Sequence, residues 1–598
     1  MSFRVLFPAA LRLSSVSRSL ALSVLLATSF SVSQAAPSGG PYGPVARHYE
    51  VPKNAAHVYY VAPDGKPDAA GTSVEQPIAL AAAFEKAVTG DAVILRGGVY
   101  RVGGLKLNQG ITLQPFGDEK PILKGTEVAA TWEAQPNGLW RASWSHLFPA
   151  KAQDWWRRPR EGRKTSPWRF NNDMVFVNGK MLRAVGWEGE IDADSYFIDY
   201  DNGQVYIGVD PKDKLVEITA HDSAITRTIG ELRGKPSDKI GPKIFGITFT
   251  QYAYRALEFE GNEPTKLADP ATFGKDIVGT LIENVTISHC SRVAGYFRGD
   301  HFTMRHCLIS DTSTEGVYVI GSADVLLEKN IFRRNNVESI TGYYASAVKI
   351  FNQSYRCVIR DNLLTENPNS SGIWFDVGNV DGLFVDNWVQ ETNDGFFFEI
   401  SKGAVCTGNV FVNCNKGVRI LNSSNVQVSQ NTFVNSLANF ERTERSAVGD
   451  HFGWHPSTGP AVEERHGHVF KNNLLVAGES FRGPMIQFDQ TQALCGRLTD
   501  SQAKEFDRNV YVRSGAIAGE PLVAWSPVEG KDCKTTFETL DGLRKLHPEF
   551  EAHSKYFTNY DSAVFQSTEL SRLNVAASFP GAQIDGATVG AYPVFNDR

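Results

Sequence analysis

Two carboxylates occupy matching places in the chain. Asp376 closes the run Gly372-Ile-Trp-Phe-Asp376, and Glu399 closes Gly395-Phe-Phe-Phe-Glu399, 23 residues later. In each run the second and fourth residues are apolar, so at a period of two the third and fifth point the other way. If the runs are neighbouring strands, their ends lie roughly 4.8 Å apart. Hydrolysis of a glycosidic bond with retention uses carboxyl groups roughly 5–5.5 Å apart, and inversion uses roughly 6.5–9.5 Å. At roughly 5 Å and an effective dielectric of about 20, two like charges repel by about 3 kcal/mol. That repulsion favours one protonated acid beside one ionised nucleophile.

The same five-residue pattern recurs around the pair: Gly316 to Ile320, Ala347 to Phe351 and Gly417 to Leu421. The outward third positions are Tyr318, Lys349, Trp374, Phe397 and Arg419. Trp374 and Phe397 could stack on sugar rings. Lys349 and Arg419 bracket the carboxylates, one coil below and one above, where they could orient the acids, bind an acidic sugar or simply balance charge. A long stretch before Asn473 carries His451, Trp454 and His455, and long loops beside grooves are often functional. We therefore expect His451 and His455 to contact substrate.

A second motif sets the frame. An apolar residue, two variable residues and usually Asn recur at Leu281…Asn284, Met304…Cys307, Leu327…Asn330, Ile359…Asn362, Phe384…Asn387, Cys406…Asn409, Val428…Asn431 and Phe470…Asn473. The steps are 23, 23, 32, 25, 22, 22 and 42 residues, that is, a coil of about 22 with insertions at turns. Stacked Asn side chains can hydrogen-bond along such a coil. The expected fold is all-β, a right-handed parallel β-helix with an N-terminal capping helix and an inserted β-sandwich-like domain. The helix is predicted at Pro77 to Phe84, with Pro near its start. The rhythm is absent from 125 to 223, which reads as the inserted domain. Its basic, aromatic stretch from Trp155 to Lys164 reads as an exposed loop near a sugar site, with a nucleic-acid patch as the weaker alternative. The expected boundaries are 1–35 signal peptide, 36–124 cap and first coils, 125–223 insert, 224–490 central coils, and 491–598 an irregular C-terminal section.

With 598 residues the chain exceeds one compact core, which also favours an elongated repeat. Its formal net charge of -6 argues against nucleic acid or an anionic membrane as partner. Arg4, Arg12 and Arg18 precede the apolar run Leu20 to Val32 and the small residues Ser33-Gln34-Ala35-Ala36, the layout of a cleavable signal peptide. The expected location is periplasmic or secreted, with no membrane attachment after cleavage. Seven cysteines show no zinc spacing; Cys495 and Cys533 could pair in an oxidising compartment. No metal or cofactor is expected, with room only for a structural calcium.

Gly372-Ile-Trp-Phe-Asp376 followed by Phe-Phe-Phe-Glu399 resembles the catalytic pattern of β-helix glycoside hydrolases of families 120 and 141. The resemblance extends to Tyr59-Tyr-Val-Ala-Pro-Asp-Gly65, to Gly98-Val-Tyr, to the insert and to Gly590-Ala-Tyr-Pro593. It implies a poly- or oligosaccharide substrate, Asp376 as nucleophile and Glu399 as acid/base. Ile-Ser-Lys-Gly403 stands where those enzymes carry an Asn-His-Gly type of segment, a departure that bears on the sugar more than on the reaction. The alternatives are a polysaccharide lyase, with Lys349 as base, Arg419 on a uronate and calcium at Asp376 and Glu399, or a non-catalytic sugar-binding solenoid. The oligomeric state is left open.

Overall fold

The structure is a computed structural model that describes residues 36–150, 165–264, 268–269, 273–340, 345–444, 464–515, 519–566 and 573–591. Three long sheets of 13 strands each run along the chain. A typical coil contributes one strand to each: Leu281–Glu283, then Thr286–Ser288, then Val293–Arg298. The next coil starts at Thr303 and pairs in parallel, Ile282 opposite Met304 and Ile287 opposite Ile309. The inward residues of all three sheets form one continuous core that includes Ile282, Ile287, Phe297, Ile350, Phe384, Phe411 and Phe440.

The corner between the first and second strands of a coil has a two-residue recipe. One residue takes the left-handed conformation, and the next turns its side chain inward. Lys329, Asp361, Asp386 and Gln430 take the left-handed place, followed by Asn330, Asn362, Asn387 and Asn431. Each inward Asn accepts the backbone N–H of the Asn below it. The distances are 3.0 Å for Asn330 to Asn362, 3.0 Å for Asn362 to Asn387, 2.9 Å for Asn387 to Asn409 and 2.9 Å for Asn409 to Asn431. Asn284 does not belong to this stack. Ile282, not Leu281, pairs with Met304, so Asn284 falls in the left-handed place at φ 56° and Val285 takes the inward one. Asn serves both places because its short amide tolerates the left-handed region.

Two further ladders stand at the other corners. Thr312, Asn335 and Asn367 form one, and Ser322, Ser354, Asn379, Ser401 and Ser423 the other. They escape a search for Asn because Ser and Thr substitute freely where one hydroxyl suffices.

The coils also run further than their sequence rhythm. Strands Ala503–Asp507, Val510–Arg513 and Lys555–Thr558 extend the first two sheets, and Asn509 accepts the backbone N–H of Asn473 at 3.0 Å. The first Asn ladder ends on the carboxylate of Glu551, whose Oε1 accepts Asn509 Nδ2 at 3.0 Å and the Tyr511 hydroxyl at 2.6 Å. Burial pushes Glu551 up to about 7. Between its unfolded value near 4.5 and 7, the folded chain holds a proton that the unfolded chain has lost. Stability is therefore lost as pH rises through that window, by about 3 kcal/mol for this group. Glu551→Gln keeps the acceptor without the titration. Its Tm advantage over wild type is expected to grow from pH 4.5 to about 7 and then level off in thermal scans; a constant offset would show that the group does not titrate there.

The helix Leu80–Lys86 buries Leu80, Ala83 and Phe84 against the first coils. Strands between Thr126 and Thr219 leave the solenoid to form a four-stranded and a five-stranded sheet around Val175, Leu182, Ile198, Val205 and Ile218. The insert is tied back by fully buried Glu217, which accepts Arg101 at 2.6 Å and Lys124 at 2.8 Å. Near the C-terminus, Phe579 and Val575 pack on Val510 and Leu474, while Leu573 and Ala591 reach Trp388 and Val410. Cys495 and Cys533 form a disulfide, and the other five cysteines are buried thiols.

Candidate active site

The site lies on the outer face of the third sheet, on strands Glu315–Ile320, Ser346–Phe351, Ser371–Asp376, Asp394–Glu399, Lys416–Leu421 and Leu437–Arg442. Their inward residues, such as Ile373, Phe375, Phe396 and Phe398, belong to the central core. The small residue near each strand's start is required by coil-to-coil packing. A Cβ on Gly372 would lie 2.6 Å from the Gly395 carbonyl oxygen, and one on Gly395 2.5 Å from that of Gly417.

Registration places Tyr318, Lys349, Trp374, Phe397 and Arg419 in one column, each opposite the next. A second column reads Phe351, Asp376, Glu399, Leu421. Asp376 and Glu399 are thus direct partners on neighbouring strands, a spacing of roughly 4.8 Å between backbones.

The two carboxylates have different company. Lys349 Nζ lies 3.0 Å from Asp376 Oδ2 and 3.9 Å above the Trp374 ring. Asp376 Oδ1 is buried and has no hydrogen-bond partner among the described residues. Glu399 has no exposed surface, and its Oε2 accepts the Trp374 indole N–H at 2.9 Å. Trp374 stacks on Phe397 with centroids 4.9 Å apart, and Arg419 covers the Phe397 ring at 4.6 Å. A cation, an indole and a phenyl ring therefore form one stack that holds both acids.

Several expectations are modified by this geometry. Trp374 and Phe397 point away from the solenoid interior but are each only 4% exposed, packed with Leu421 in a separate cluster. They are better placed to aim the acids than to offer an open face to a sugar. Tyr318, 5% exposed, packs edge-on against Tyr296 and Phe351. Arg419 does not salt-bridge to Asp376 or Glu399. It bonds Glu441 at 2.9 Å and lies 3.7 Å from Asp394. Burial pushes Glu441 up, but Arg419 and Lys416 outweigh it and hold the carboxyl below its ordinary range. His451 and His455 lie outside the described residues.

The sequence reading missed a third outward column, formed by Glu315, Ser371, Asp394 and Lys416. The ladder skips the small residue and pairs those on either side of it, as Asp394 with Lys416 and Phe396 with Val418. Asp394 faces the outward Arg419 at 3.7 Å. Ser371 Oγ donates to Asp394 at 3.3 Å, and Glu315 is fully buried, pushed up to about 7 by burial. The signal was legible: Glu315, Asp394 and Lys416 each precede a glycine. Among the described residues no three His, Cys, Asp or Glu side chains gather as a metal site would require. The calcium arrangement would also have to displace the Lys349 ammonium from Asp376.

The three stacked parallel sheets with their corner ladders make the chain a right-handed parallel β-helix. Residues 272–433 match the family model described as right handed beta helix region. The fold is shared with the solved complex of XylC with xylose, at 15% identity over 78% of this chain and 85% of that one, with a TM-score of 0.53. A solved glycoside hydrolase matches at 12% identity over 76% and 96%, TM-score 0.40, and pectate lyase Pel9A at 11% over 75% and 78%, TM-score 0.31. At 15% identity the likeness to the XylC complex is one of fold. A comparison with curated protein sequences found no match.

Proposed function

We propose that the chain is an exported carbohydrate-active enzyme, a glycoside hydrolase that works with retention. One observation carries the reading: Asp376 and Glu399 are register partners on adjacent outward strands. In the reaction, the Asp376 carboxylate attacks the anomeric carbon while Glu399 gives its proton to the departing glycosidic oxygen. The glycosyl ester on Asp376 is then opened by a water that Glu399 deprotonates. Lys349 fixes one Asp376 oxygen and leaves Oδ1 to attack. The Trp374 indole fixes one Glu399 oxygen and so aims the carboxyl group. A lyase would need Lys349 as a base, a role poorly suited to an ammonium bonded to Asp376. The Arg-bearing N-terminus and the disulfide suit an oxidising compartment outside the cytoplasm.

The test is a panel of aryl glycosides and oligosaccharides read by reducing ends and by ultraviolet absorbance. Aryl xylosides come first, since a protein sharing this fold was solved with xylose. Proton NMR of the first-formed product is expected to show retained anomeric configuration. An inverted product, or a 4,5-unsaturated sugar, would overturn the reading.

Trp374→Phe keeps the stack and removes only the indole N–H. We expect kcat to fall about 10-fold, the worth of one hydrogen bond to a carboxylate, with little change in KM. An unchanged kcat in steady-state assays would show that the indole does not orient Glu399.

A further inference from the structure

The five-stranded sheet of the insert has a gap at one edge. Strand Ser195–Asp199 pairs with the two-residue strand Arg183–Ala184, but only Ser195 and Tyr196 find partners there. The Val185 N–H still reaches the Tyr196 carbonyl at 2.9 Å, and the pairing ends there. Beside Phe197, Ile198 and Tyr200 this leaves a cavity of about 300 Å³ that opens to solvent. Its second wall comes from the short helical turn Pro167–Phe170. That turn is pinned to the solenoid. Phe170 has no exposed surface, its carbonyl accepts Arg292, and Asn172 accepts Arg292 Nε at 3.1 Å. Trp168 is partly exposed, and its ring lies against Gly186, where a Cβ would come within 3.1 Å of it. Tyr200 is fixed by its hydroxyl, which donates to buried Asp173 at 3.0 Å. Asn171 Oδ1 accepts the Ala150 N–H at 3.2 Å, and its Nδ2 makes no hydrogen bond among the described residues. Trp187, next in the chain to Gly186, is 61% exposed, its ring laid against Gly189, where any Cβ would strike it. An aromatic side chain left this far in water forgoes a large burial gain.

We infer that this cavity is a second carbohydrate site, which holds one neutral sugar unit of a polysaccharide against Trp168, Phe197 and Tyr200, with Asn171 as hydrogen-bond donor and Trp187 beside it. Small-molecule sites are mostly apolar and aromatic with a few fixed polar groups, and run roughly 300–1,000 Å³; this one stands at the small end, the size for a single ring. The C–H face of a sugar ring is flat and slightly positive, the complement of the negative face of an aromatic ring. No lining residue carries a charge. The flanking arginines are committed elsewhere, Arg169 to the Glu338 carbonyl and Arg183 to Asp192, so a uronate carboxylate would find no counter-ion. The site is separate from Asp376 and Glu399, because none of its lining residues lies on the third sheet. It forms no bond and breaks none; it anchors a chain that the enzyme cleaves elsewhere. This rests on the carbohydrate-active reading, not on the retaining mechanism.

The experiment is affinity electrophoresis of the full chain through gels containing xylan, arabinan, galactan, mixed-linkage glucan or polygalacturonate. Asp376→Ala serves as the background, so that no gel is digested. Retardation is expected in at least one neutral gel and not in polygalacturonate. In that neutral gel, Trp168→Ala is expected to raise the dissociation constant about 10-fold or more, and Trp187→Ala about 3-fold. Trp168 stands outside the buried cluster of the insert, so its variant is expected to keep its Tm to within a few degrees. Trp187→Ala alters an exposed side chain and carries the test if Trp168→Ala does not fold. No retardation in any neutral gel, retardation in polygalacturonate alone, or retardation that the variants leave unchanged would overturn the site. A wild type that cleaves glycans while the background is not retarded removes the site alone; a chain that neither cleaves nor is retarded removes the carbohydrate reading underneath.

Discussion

Asp376→Ala is expected to lower kcat/KM on the order of 10⁴-fold on every substrate, aryl glycosides included, because no other group can form the glycosyl ester. The protein should keep its Tm to within a few degrees. Asp376 is partly exposed and Lys349, its salt-bridge partner, also lies over the rings of Trp374 and Phe351. Glu399→Ala should behave differently. An activated aryl leaving group needs little protonation, so the loss should be largest for poor leaving groups such as a second sugar. Azide should partly restore Glu399→Ala by attacking the glycosyl ester from the vacated side, giving a glycosyl azide of retained configuration. Steady-state assays across leaving groups and NMR of the azide product separate the two roles. If both variants lost activity equally on aryl and natural substrates and azide restored neither, the carboxylates would not have the roles assigned.

The second large effect is on stability. Asn409→Ala should destabilise the solenoid by about 4 kcal/mol, the cost of several buried polar groups left unmatched together. Asn409 Oδ1 accepts the Asn387 backbone N–H at 2.9 Å and its Nδ2 at 3.0 Å. Its own Nδ2 donates to the Phe384 carbonyl at 2.8 Å and the Thr407 carbonyl at 3.1 Å. The two amides and the Phe384 carbonyl cannot reach water, since Asn387, Asn409 and Phe384 have no exposed surface. Denaturant unfolding with hydrogen exchange is the measurement, because a stacked repeat can open locally. Loss of protection should centre on the coils of Asn387, Asn409 and Asn431. A loss under about 1 kcal/mol would mean the ladder is decorative.

Much of this molecule was legible in the chain. Side-chain alternation within five-residue runs has a period of two, and no packing is needed to say that Asp376 and Trp374 share one side while Ile373 and Phe375 share the other. Where no insertion interrupts it, the step of about 22 residues likewise puts residue n beside residue n + 22 or so, which makes Asp376 and Glu399 neighbours. Asn284 was misplaced because a left-handed corner and an inward ladder both favour Asn, and only the strand register separates them. The C-terminal coils hid because their strands are split by longer insertions.

What only the tertiary structure decided is which charge meets which, and what is covered. Lys349 and Arg419 occupy equivalent places one coil either side of the carboxylates, yet one reaches Asp376 and the other turns to Glu441 and Asp394. The difference arises from Asp394 lying 3.7 Å from Arg419 on the same face and from Glu441 lying opposite Leu421 in the column of the acids. The burial of Trp374 and Phe397 is likewise unreadable from alternation. Local periodicity determines the side of a strand a residue takes, because it follows from backbone geometry alone. The partners a long side chain finds across coils depend on lateral offsets that only the assembled stack sets.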